Sequence, residues 1–140
     1  MNSRLTVLLF SMFGLGAQAQ YSGNLKVEEL LASESNGIGQ KIIYPKFDDA
    51  KVTIRKITFP AGSSTGWHKH EIPVFSYIIQ GKLTVEFEGQ KTINYTVGNC
   101  FAESTNTYHR GINKEDGDLV VLVLYLGGDG KRLSISKPNR

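Results

Sequence analysis

The stretch Gly66-Trp67-His68-Lys69-His70-Glu71-Ile72-Pro73-Val74-Phe75-Ser76-Tyr77-Ile78-Ile79-Gln80-Gly81 sets two imidazoles two residues apart, then a seven-residue apolar run closed by glycine. On a β-strand, side chains alternate across the pleat, so His68 and His70 share one face. The same parity continues through Ile72, Val74, Ser76 and Ile78, an apolar wall with one hydroxyl. Trp67, Phe75 and Tyr77 take the opposite face. The chain has one further histidine, His109, 39 positions after His70 and preceded by the turn-rich Ser104-Thr105-Asn106-Thr107-Tyr108. A second strand can therefore bring it against the pair. Imidazole is the commonest protein ligand for Zn, Fe, Cu and Ni, and three of them hold a metal with positions left open. The competing reading is a polar pair on an exposed strand and an unrelated third histidine.

Outward from this stretch the pattern is mostly β. Short runs bounded by turn signals cover 41–44, 51–59, 65–70, 74–80, 82–87, 91–97, 101–103, 109–113 and 119–126. Pro60-Ala61-Gly62, Gly81, Glu88-Gly89, Gly98-Asn99 and Asp116-Gly117 punctuate them. Strands at this spacing predict an antiparallel sandwich or barrel. Leu119–Leu126 is apolar on both faces, which suits a strand covered on both sides. One short helix is expected over Lys26–Glu34, stopped at Asn36-Gly37. From Gly127 the chain reads as a turn followed by an edge strand or loose end. Its glycines are no phosphate loop, since no helix follows.

The first nineteen residues read as a secretory signal peptide: Arg4 in the n-region, an apolar Leu5–Gly16, then Ala17-Gln18-Ala19 as the cleavage site. The apolar run is too short to span a bilayer, which takes roughly 20 residues. A periplasmic or secreted protein without a membrane anchor is expected. Residues 20–51 then form the helix and leading strand, 52–127 the barrel and 128–140 the tail. Of 16 basic residues only Arg4 leaves with the signal, so 15 remain against 13 acidic ones. The charges are interspersed, and no lysine–arginine cluster reads as a nucleic-acid surface. Cys100 is the one cysteine, so no internal disulfide can form.

The stretch 66–81 resembles the first motif of the cupin superfamily: HxH, a glutamate four residues on, then a glycine. Residues 98–113 resemble the second motif in Gly98, His109 and Asn113, with Ser104 in place of the usual proline and Asn106 in place of the usual glycine. The resemblance implies a double-stranded β-helix, or jelly-roll barrel, with a metal inside. Val74 stands where the glutamate ligand would be, and Glu71 falls on the opposite parity. The expected site is thus a three-histidine variant without the carboxylate, holding one divalent ion, Fe2+ first and Zn2+, Mn2+, Ni2+ or Cu2+ after it. Three neutral ligands leave the ion's charge uncompensated and favour a small anionic or chelating ligand.

Within the superfamily this is similar to three-histidine non-haem dioxygenases. Loss of the metal altogether is the competing reading. Val74, Ser76, Ile78 and Phe101 are the expected pocket residues. Glu103 is the catalytic candidate: it can orient a histidine or accept a proton, or it can simply hydrogen-bond the turn at 105–107. A metal-dependent oxidoreductase is expected, with a binding or sensing module lacking catalysis as the alternative. A homodimer is also expected, because Trp67, Phe75, Tyr77 and the run 41–44 leave apolar surface to cover. A fold-back of the 26–34 helix is the alternative cover.

Overall fold

A computed structural model describes residues 23–138. The signal-peptide reading of residues 1–19 lies outside them. Nine strands follow in order: β1 Ala50–Phe59, β2 His68–Lys69, β3 Val74–Gln80, β4 Lys82–Phe87, β5 Thr92–Thr96, β6 Cys100–Ala102, β7 His109–Asn113, β8 Leu119–Gly128 and β9 Ile135–Ser136. They form two antiparallel sheets, β1-β8-β3-β6 and β5-β4-β7-β2-β9, facing each other as a jelly-roll β-sandwich. Alternation decides what lies between them. Val74, Ser76 and Ile78 of β3 point in, as do Leu119, Val121, Val123 and Tyr125 of β8, and Leu83, Val85 and Phe87 of β4.

Two local features fix the frame. Gly81 turns β3 into β4 at φ +79°, and a Cβ there would sit 3.0 Å from the Asp118 carbonyl oxygen and the Leu119 Cα. Only glycine fits both constraints. Asn113, fully buried at the end of β7, donates to the carbonyls of Phe59 (2.9 Å) and Gly117 (2.7 Å). It ties its strand's end, as the sequence suggests.

Three expectations change. No helix occurs among the described residues, and Lys26–Glu34 forms no regular secondary structure, with Leu25, Val27 and Leu30 half or more exposed. A nine-residue helix is marginal in water unless an apolar face is packed, and this one finds no surface. The run 41–44 is no strand: Lys41 makes a single bridge to Ser35. Finally, among the described residues β8 is fully buried on one side only. Its inward residues are buried, while Val120, Leu122, Leu124 and Leu126 are half-buried on the sheet's outer face.

Candidate metal centre

His68 on β2 and His109 on β7 are direct partners across the ladder. His70, just past β2, is buried, and its carbonyl accepts from the Asn106 N–H at 2.7 Å, anchoring the loop before His109. The three rings lie with centroids 4.5–5.2 Å apart. The sequence placed these side chains correctly together.

The outer nitrogen of each ring is already committed. His68 Nδ1 lies 3.0 Å from the Gly66 carbonyl, His70 Nδ1 2.6 Å from the Leu133 carbonyl and His109 Nδ1 3.0 Å from the Thr107 carbonyl. Ser104 Oγ also lies 2.9 Å from His109 Nδ1. A carbonyl only accepts, so each Nδ1 carries the proton and each Nε2 is left to serve the interior. Metal-binding histidines are oriented by this kind of outer contact.

A carboxylate completes the cluster. Glu103 follows β6, with Oε2 3.1 Å from His70 Nε2 and 3.3 Å from His109 Nε2. Ser76 Oγ donates to the other oxygen, Oε1, at 2.5 Å. One donor atom from each of His68, His70, Glu103 and His109 lies within 4.8 Å of the others. Burial pushes the Glu103 carboxyl up, yet the bonds from His109 and His70 hold it well below the usual carboxylate range. Burial also disfavours the charged form of His70, but Glu103 outweighs this and raises it. Burial lowers His68 to about 4 and keeps it neutral. With all three Nδ1 atoms on carbonyls, positive charge between Glu103 and the Nε2 atoms must come from protons or from a cation. Three imidazole nitrogens and one carboxylate oxygen suit a divalent transition metal. The donor set fits one, and beside the three expected histidines stands a carboxylate from the loop after β6.

Sequence comparison agrees with this geometry, since the profile of the Cupin domain matches residues 55–125, half of the chain. The chain belongs to the cupin family. A search of curated proteins finds no match to this cupin's sequence. Among solved structures it resembles the DMSP lyase DddQ from Ruegeria pomeroyi DSS-3, with TM-score 0.51 and 20% identity over 64% of this chain and 43% of that one. It also resembles a structure of the DMSP lyases RdDddP and RnDddQII (TM-score 0.53, 17% identity, 62% and 44% covered). A predicted oxalate decarboxylase from Thermotoga maritima shares 26% identity over 56% of this chain and 68% of that one, at TM-score 0.49. This cupin thus spans less than half the length of either lyase chain. At these identities the likeness to the two lyase structures shows the fold alone.

The cluster opens on a cavity of about 60 Å3. Of the expected pocket residues, Ser76 and Phe101 line it. Val74 and Ile78 face inward but are buried away from it. Val74 lines a separate cleft against Ile42 and Ile43. Its backbone carbonyl accepts from the Glu103 N–H at 2.8 Å, which places the carboxylate's own backbone beside the empty motif position. Sequence reading missed Tyr125, Phe87, Thr65, Tyr95 and Ser104. Parity along 119–126 could have supplied Tyr125, which follows Val121 and Val123 on one face. Tyr95 stacks flat on Phe101, with centroids 3.6 Å apart, a pairing across strands that sequence alone does not signal. Glu71 points outward and pairs with Lys69 at 3.3 Å. Trp67 lies outside the cavity under the Arg110 guanidinium, 5.0 Å away.

Proposed function

We propose that this cupin is a mononuclear non-haem metal enzyme, with the ion held by His68, His70, His109 and Glu103, acting on a small chelating anion. The convergence of three pre-oriented Nε2 atoms and one carboxylate oxygen carries the reading. Fe2+ is the first candidate, and the carboxylate brings Mn2+ closer to it than three histidines alone would. Such an ion supplies Lewis acidity or dioxygen chemistry, with open positions beyond its four protein donors. Glu103, engaged on both oxygens, serves as ligand and not as free base. Ser76 holds its Oε1, so that Oε2 faces the histidines. The walls from Phe59, Leu83, Val85, Phe87 and Val121 exclude water and strengthen electrostatic contacts inside. Tyr125 offers a hydroxyl for a substrate's polar atoms. A dioxygenase-like oxidation is the reaction class proposed, outside the cytoplasm if the first nineteen residues direct export.

The test begins with metal. Elemental mass spectrometry of the purified protein should find one divalent ion per chain, and His109→Ala should lose it. A full equivalent retained with unchanged affinity in His109→Ala would sink the site. The Fe2+-loaded protein should then consume dioxygen with one member of a panel of β-diketones, thiols and catechols. Metal and ligand binding without turnover of any panel member would favour a sensing or binding module.

A further inference from the structure

β1 carries one inward-facing line from the cavity to solvent. Phe59 and Ile57 line the cavity, and Arg55, Thr53 and Lys51 continue their parity outward. Across the ladder Arg55 stands opposite Val123, a cavity-wall residue, and Thr53 opposite Tyr125. The Arg55 guanidinium carbon lies 5.8 Å from the centroid of the Tyr125 ring. That ring in turn meets His70 edge-on at 5.9 Å. Tyr125 therefore touches both the metal cluster and a cation at the rim.

Beyond Tyr125 an open groove of about 720 Å3 includes Lys51, Thr53, Arg55 and Lys131, with Asp49 and Asp129. Asp129 is already engaged, accepting from the backbone N–H groups of Asp49 at 2.8 Å and Asp48 at 3.4 Å. Among the described residues Arg55 has no carboxylate within ion-pair distance. A guanidinium is permanently charged and offers five donors in a planar fork matched to carboxylates. Stacking on an aromatic face satisfies the ring and leaves that fork's edge free.

We infer that Arg55 is a substrate-binding residue, and that the substrate is a two-headed anion with one anionic group at the metal and the other on Arg55. The inference rests on the metal-centre reading above and adds the second contact. A cavity of about 60 Å3 holds one head and a few carbons, and Tyr125, which lines it, carries the Arg55 guanidinium over its ring. A substrate with one charged group would satisfy the metal and leave the guanidinium unused.

The experiment is calorimetric titration of the metal-loaded protein with acetate, malonate, succinate and glutarate at fixed ionic strength. At least one dianion should bind about tenfold more tightly than acetate, the scale of one charge-assisted contact at a partly exposed site. In Arg55→Ala that preference should vanish, with acetate affinity and metal content unchanged. Arg55→Lys should keep only part of it, because a point charge does not replace the fork. A dianion preference that survives in Arg55→Ala, or its absence from the parent protein, overturns the inference while leaving the metal site intact. A parent protein that binds no metal overturns the reading beneath it, and this inference falls with it.

Discussion

Val74 and Glu103 divide between them what one residue does in the motif they resemble. The strand position facing the metal is apolar, and the carboxylate arrives from the loop after β6, held by Ser76 at one oxygen. Sequence parity could set Val74 inward, and it does lie inward, but parity says nothing about a carboxylate 29 positions away. Two predictions separate the roles. Glu103→Gln keeps the shape and removes the charge, so metal affinity should fall by more than the roughly 10–100-fold that outer contacts are worth. Equilibrium titration against a chelator would check it, and unchanged affinity would remove Glu103 from the ligand set. Val74→Glu should gain nothing. It buries a second acid near Glu103 in an apolar wall, and should lower stability by roughly 2–3 kcal/mol in denaturant unfolding. A tighter metal site in that variant would mean that position 74 reaches the ion after all. Acid should act on the centre in one direction. Protons compete for the Nε2 atoms, and Glu103 raises His70 above the ordinary histidine value of 6.5, so apparent metal affinity measured by chelator titration should rise as pH climbs past that value.

Elements whose hydrophobic pattern and turn signals agree were legible before any coordinates. The runs 74–80, 82–87 and 109–113 are strands with those same ends. Punctuation at Gly81 and alternation in the flanking runs leave one register. Helical spacing over Lys26–Glu34 misled, because periodicity registers an apolar face and cannot say whether a surface exists to receive it. The segment that follows has a role no pattern announces. Asn36 and Gln40 clamp the loop that bears Glu103. Gln40 Nε2 donates to Thr107 Oγ1 at 2.9 Å and to the Thr105 carbonyl at 3.2 Å, and its Oε1 accepts from Asn36 Nδ2 at 2.7 Å and from the Thr105 N–H at 3.1 Å. The contacts to Thr105 and Thr107 span more than sixty positions of sequence, which is why the sequence hid them. Gln40→Ala should cost about 1–3 kcal/mol of stability by orphaning those partners. It should also weaken metal binding about tenfold, because the loop sets the carbonyl that orients His109. A loss of stability with metal affinity unchanged would confine the clamp to folding.

At the scale of the whole molecule, the first sheet leaves apolar side chains of its outer face exposed among the described residues. Val52 and Ile54 of β1 are about 60% exposed and Ile79 of β3 43%, beside the half-buried Leu122, Leu124 and Leu126 of β8. The residues first named for this surface divide otherwise. Phe75 and Tyr77 belong to it, whereas Trp67 lies by the second sheet under Arg110 and Lys137. Fold-back of a helix over it is gone, since 26–34 forms no helix and is mostly exposed. A continuous apolar sheet face of this kind, ending in the edge strand β1, is costly to leave in water and invites pairing. A two-fold partner presenting the same face buries both at once. The expected outcome is a homodimer at micromolar concentration by light scattering. Ile54 sits directly opposite Leu124 in the ladder, exposed on the edge strand of the face. Ile54→Lys should therefore shift the mass to that of a monomer while metal content stays at the parent value, since its side chain points away from the cavity. A parent protein that remains monomeric across that concentration range would rule the dimer out.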